Sequence, residues 1–211
     1  MTKRYLLFLA LLGYAVFAGS ASGATPSVDI NRLVPTQPSG TGAEQVGVVV
    51  FFDFSAASHA LLKRIDKWAA NAGSEIVIDR EPYVTQLDMP LARAFMTSRT
   101  LGVTSPILDG LFNIQPNPSD PQATRKQLQS LFKTWGIGTV EFNAAWHAQV
   151  TDNGFTRAQS LAQRYGVTQA PAIVVDGIWR LTPAGPNDIG ALMQALNDKV
   201  GKAAQIASEN Q

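Results

Sequence analysis

The chain has 211 residues, 45% of them hydrophobic and 16% charged, a composition suited to one globular domain with a sizeable core. Its 17 basic and 16 acidic residues give a formal charge of +1, and no basic run or basic–aromatic stripe is present, which argues against a nucleic acid partner. There is no cysteine, so a structural disulfide, thiol chemistry and lipoprotein acylation are all excluded.

In chain order, Lys3 and Arg4 form a positive n-region, Tyr5 to Phe17 is an apolar run, and Ser22-Gly23-Ala24 fits a small-residue cleavage site. Residues 1–24 therefore read as a secretory signal peptide, too short and wrongly flanked for a membrane anchor. Removing Lys3 and Arg4 leaves 15 basic against 16 acidic residues, a mature charge near −1. The expected destination is the periplasm, an oxidising compartment where disulfides would be permitted, yet none is used. Residues 25–44, rich in Pro, Ser, Thr and Gly, predict a mobile leader.

Val48 to Phe54 is β-branched and aromatic, as a strand covered on both faces would be. Leu61, Leu62, Ile65, Trp68 and Ala69 then recur at helical spacing. Between them Ser55 or Ser58 can cap the helix, whose positive end points above the strand. Gly73 is the expected C′ residue. Ile76 to Arg80 is a second strand, and Pro82 stops it from continuing as a central one.

From Pro90 to about Ala148 the pattern is helical, with one helix marked by Leu91, Phe95 and Met96. A second carries Ile107, Leu108, Leu111 and Phe112. A third places Leu128, Leu131, Phe132 and Trp135 on one face and stops at Gly136, and a fourth starts at Thr139. A helix over Thr156–Tyr165 follows. Ala172 to Val175 enters a strand, Asp176-Gly177 is a two-residue hairpin signal, and Ile178 to Leu181 returns. Ile189, Leu192, Met193, Leu196 and Val200 form a last amphipathic helix. Residues 203–211 read as a fraying polar tail.

This order of elements predicts an α/β, thioredoxin-like fold over residues 45–202, with an inserted all-helical subdomain at about 86–150. Over about Gly47 to Val200 the residues resemble the DsbA-type thiol:disulfide oxidoreductases. Phe51-Phe52-Asp53-Phe54 is similar to that family's first core strand, and His59 to Trp68 to its active-site helix. Arg80-Glu81-Pro82, Leu91 to Phe95 and Phe142 to Trp146 resemble its second strand and helical insertion. Gly166 to Gly177 resembles its cis-proline loop and hairpin, with Ala170 and Pro171 at the substrate-binding position. The family carries Cys-x-x-Cys at the strand–helix turn. Counting back from Trp68 puts that pair at Ser55 and Ser58, the preferred alignment; counting forward from Phe51 puts it at Ala56 and His59. Either way Ser55-Ala56-Ala57-Ser58-His59 is a degenerate motif, and the family's buried acid falls at Val50.

Disulfide exchange needs a thiolate attacking sulfur, which a serine hydroxyl cannot replace, so the resemblance implies a redox-inactive member without a cofactor. Two function classes follow. The first is a binding or chaperone-like module that takes an exported polypeptide or partner protein along the cis-proline groove. The second is a glutathione-binding enzyme, since Phe52 to Ser58 also resembles kappa-class glutathione transferases, which use a serine at this turn. A Ser58–His59 dyad is disfavoured because helix neighbours do not face each other. His59 and His147 both read as solvent-facing and show no ligand spacing, so no metal site is expected. Asp53 is open between a functional acid and a local cap. Trp68, Trp135, Trp146 and Trp179 read as core or groove lining.

Overall fold

The computed structural model describes residues 27–33 and 45–209. The expected signal peptide lies outside them. Twelve elements follow one another among the described residues: β1 (Val28–Arg32), β2 (Val46–Phe52), α1 (Ala56–Ala69), β3 (Ile76–Pro82), α2 (Met89–Thr100), α3 (Thr104–Leu111), α4 (Pro121–Thr134), α5 (Thr139–Trp146), α6 (Gln149–Arg164), β4 (Ala172–Val175), β5 (Trp179–Pro183) and α7 (Ile189–Glu209). The sheet order is β1-β5-β4-β2-β3; β2 and β3 run parallel and the other neighbours antiparallel.

β2 is the organising strand, and its side chains alternate between two cores, as a period of two requires. Val46, Val48, Val50 and Phe52 enter the main core with Leu61 and Ile65 of α1, Phe95 of α2 and Leu192 and Leu196 of α7. Phe51, with Val49 packed beside it, faces a smaller cluster of Ala162, Val167, Ala172 and Val174. Val50, where the family's acid would fall, is fully buried in the main core. Pro82 ends β3, an edge strand, where the missing N–H costs no central ladder bond.

Several expectations are corrected. Residues 25–44 are not wholly a leader: β1 pairs with β5 in register from Val28 opposite Pro183 to Arg32 opposite Trp179. β1 is short, its Val28-Asp29-Ile30-Asn31 alternation spans only four residues amid Pro, Ser, Thr and Gly, and pairing along β5 completes it. α6 begins at Gln149, seven residues before the expected start. Gly154 hid that first half, but a Cβ there would sit 3.0 Å from Met96 Sδ, so the glycine allows α6 to lie close against α2. α7 runs through the expected tail to Glu209, because Ala203 is buried on its inner face. Gly73 is not in the left-handed region, and α1 ends earlier, on Ala70.

The hairpin is made by Asp176 and Gly177 at φ 51° and 65°, with the Ile178 amide donating to Val175 O at 2.9 Å. Its ladder starts one residue later than expected, at Val175 opposite Trp179. Trp68 donates from Nε1 to Asn197 Oδ1 at 2.6 Å, tying α1 to α7. Trp135 is 53% exposed, against the inward reading: it sits past the last turn of α4, where the helical spacing no longer aims it at the core.

Candidate functional site

The β2–α1 turn is built around Asp53. Ser55 is the N-cap of α1, in extended conformation, and its Oγ accepts from the Ser58 amide at 3.3 Å. The Ser55 and Ser58 hydroxyls both donate to Asp53 Oδ1, at 2.5 and 2.6 Å. The Ser55 amide donates to the same oxygen at 3.2 Å, and the Asp53 amide donates to Ser58 Oγ at 3.2 Å. Each serine proton is thereby directed to a carboxylate. Ser58 is fully buried, and Ala56 is exposed between them.

His59 does not join this group and is not simply solvent-facing. Its ring stacks on Phe112 with centroids 4.4 Å apart and planes 11° off parallel, and its Nε2 meets Asp109 Oδ1 at 3.0 Å. Lys63 reaches the same carboxylate at 3.3 Å. The His59 hydrogen bond, chiefly, holds the Asp109 carboxyl below its ordinary value of 3.8, with Lys63 assisting and partial burial opposing. A carboxyl so depressed stabilises the fold above its unfolded value, and that contribution goes as pH falls through the folded value. Thermal melts between pH 5 and 2 are therefore expected to show a shallower acid loss in Asp109→Asn than in the unmodified chain. His147 is exposed, as expected, with its Nε2 3.2 Å from Arg125 Nη2.

On the other side of the turn, the peptide bond between Ala170 and Pro171 is cis. Pro171 is buried and Ala170 half-buried. The β2–β4 ladder ends with Phe51 opposite Ala172, so Asp53 and Ala170, each two positions beyond that pair, leave the same end of the ladder. Among the described residues neither the amide nor the carbonyl of Ala170 has a backbone partner. Tyr83 braces the loop: its amide donates to Phe52 O at 2.6 Å and its hydroxyl to Thr168 O at 2.8 Å.

Sequence reasoning passed over a second charged group, below the turn. Glu81 of β3 is fully buried beside Phe51 in the sheet register. Its Oε1 accepts from Arg99 of α2 at 3.2 Å and also from Arg157 of α6, while Asp79 meets the same arginines at 3.3 and 2.7 Å. These four residues fasten the helical insertion to the sheet edge, and the distance in sequence between 81 and 157 leaves no local signal of it. Among the described residues no three His, Cys, Asp or Glu side chains converge to hold a metal ion, and no helix is long and apolar enough to cross a membrane.

No protein-family model matches the chain. The thiol:disulfide interchange protein DsbA of Burkholderia cepacia is 24% identical over 201 residues, covering 93% of this chain and 95% of that protein. The protein of the same name from Pseudomonas aeruginosa is 22% identical over 205 residues, covering 95% of each. The crystal structure of Pseudomonas aeruginosa DsbA superposes with a TM-score of 0.66 at 20% identity, over 83% of this chain and 94% of that one. That of the Xylella fastidiosa oxidoreductase DsbA gives 0.64 at 19% identity, over 74% and 87%. With the thioredoxin-like sheet, the inserted helices and the turn in the expected places, the chain has the fold of the DsbA proteins and is similar to them over nearly its whole length, without a cysteine.

Proposed function

We propose that this chain is an exported, redox-inactive module that docks an extended polypeptide along the loop at Ala170 and Pro171. The observation that carries this reading is the backbone amide and carbonyl of Ala170, which have no backbone partner among the described residues, beside a turn that holds no thiol. An extended segment can satisfy both groups by adding a strand, gaining main-chain hydrogen bonds without any covalent step. Export follows the apolar N-terminal run, and places the module among unfolded or partly folded exported chains.

The glutathione reading is weaker on this geometry. A serine that stabilises a thiolate must offer its hydroxyl proton to sulfur. Here the Ser55 hydroxyl donates to Asp53 Oδ1 at 2.5 Å, and the carboxylate would repel an incoming thiolate.

The test is titration calorimetry with a capped, unstructured twelve-residue peptide and with a copy N-methylated at alternate positions. The unmethylated peptide is expected to bind, and its methylated copy at least about tenfold more weakly, the loss of two or more main-chain hydrogen bonds. Equal affinities, or binding by neither, would remove the strand-addition reading. In the same preparation, reoxidation of reduced ribonuclease is expected to run no faster than in buffer.

A further inference from the structure

We infer that Asp53 sets the specificity of this docking edge, and that the segment it selects is an extended one bearing a lysine or arginine opposite the turn. The inference rests on the docking reading of Ala170 and adds to it the chemistry of the partner.

Asp53 Oδ1 is saturated by three donors, whereas Oδ2 has no partner among the described residues. Asp53 is half-buried, and its Oδ2 is not among the buried atoms left without a partner, so this second oxygen opens to solvent. The turn therefore presents one carboxylate oxygen outward, held in place by the hydroxyls behind it. Because Asp53 and Ala170 leave the same end of the β2–β4 ladder, a strand added at Ala170 starts beside the turn that carries that oxygen.

The surrounding charge does not cancel it. Lys63, the basic residue nearest in sequence on α1, already has an anionic partner in Asp109. The positive end of α1 offsets part of the carboxylate charge, which limits the expected preference to a moderate one. Phe54 and Phe112, half-buried with centroids 5.6 Å apart, border the turn and can take the methylene stem of a long basic side chain. A cationic head over an apolar stem matches lysine and arginine; an acidic or purely apolar side chain matches one part of the surface only.

Three capped twelve-residue peptides that differ at one central position, lysine, norleucine or glutamate, test this by titration calorimetry at low salt. The lysine peptide is expected to bind about three- to tenfold tighter than the norleucine peptide, with the glutamate peptide weakest. The spread should shrink as salt is raised to about 0.3 M, where exposed charges are screened. Asp53→Asn, whose side-chain oxygen can still accept from both serines, should bring the lysine and norleucine peptides together. The salt series on the unmodified protein decides the matter even if that variant folds poorly. Equal affinity for all three peptides, or a preference for glutamate, overturns the role of Asp53 while leaving docking at Ala170 intact. No binding by any of the three overturns the docking reading itself, and this inference with it.

Discussion

With cysteines introduced at both ends of the turn, Ser55→Cys with Ser58→Cys, the protein is expected to form an internal disulfide in air yet to reoxidise a reduced test protein only slowly. The two positions are three apart at the start of α1, and Ser55 Oγ already accepts from the Ser58 amide. A sulfur at position 55 would inherit that amide and the positive helix end, both of which favour a thiolate. Asp53 opposes them, since its carboxylate oxygen now lies 2.5 Å from the Ser55 oxygen. A like charge that close raises a thiol by about one to three pKa units, which lowers the thiolate fraction about tenfold or more at neutral pH. Adding Asp53→Ala to the double variant is accordingly expected to speed disulfide exchange by about tenfold or more. Thiol titration and reoxidation of reduced ribonuclease measure the two effects. If the double variant were as fast with Asp53 as without it, the carboxylate would not be what separates this turn from a thiol site. The same substitutions at Ala56 and His59 should do worse. His59 is committed to Asp109 and Phe112, so a thiol there would start from a side-chain position facing α3.

Phe52→Ala is expected to cost about 3–5 kcal/mol of stability, the usual range for truncating a fully buried phenylalanine. Phe52 is fully buried and touches three other rings, Phe54 at 5.7 Å, Phe95 at 5.0 Å and Phe112 at 6.3 Å. These rings come from the turn, from α2 and from the end of α3, so the cavity would open where the sheet meets the helical insertion. At roughly 2–4 °C per kcal/mol for a chain of this size, the midpoint should fall by about 6–20 °C in a thermal melt. Amide exchange should rise in the turn and in α3 before it rises in β4. A loss below about 1 kcal/mol would mean that the site collapses around the missing ring and that the aromatic cluster does not hold the turn.

Much of the fold was legible because it is written in local patterns. The unbroken apolar run of β2, the stripe of α1 and the Asp176-Gly177 turn each carry their own signal, and each is found within a residue or two of its expected place. The elements that were misplaced carry a weaker one. β1 is short, with an alternation of only four residues, and its strand is completed by pairing with β5. The first half of α6 contains Gly154, which weakens the helical pattern but admits Met96 of α2. At the turn, the residue types showed that no sulfur was present and that Ser55 could cap. They left open whether Asp53 was a cap or an acid, and it proved to be the acceptor for both serines.

By itself, then, the amino-acid order determined the sheet-and-helix plan and the impossibility of thiol chemistry, because apolar periodicity and the absence of an atom type need no knowledge of what folds against what. The tertiary structure alone decided which charges meet. His59 finds Asp109 across 50 positions and Glu81 finds Arg157 across 76, since the helical insertion folds back onto the sheet. It also decided that one oxygen of Asp53 is taken up inside the turn by both serines, at the end of the ladder where β2, β4 and α1 converge.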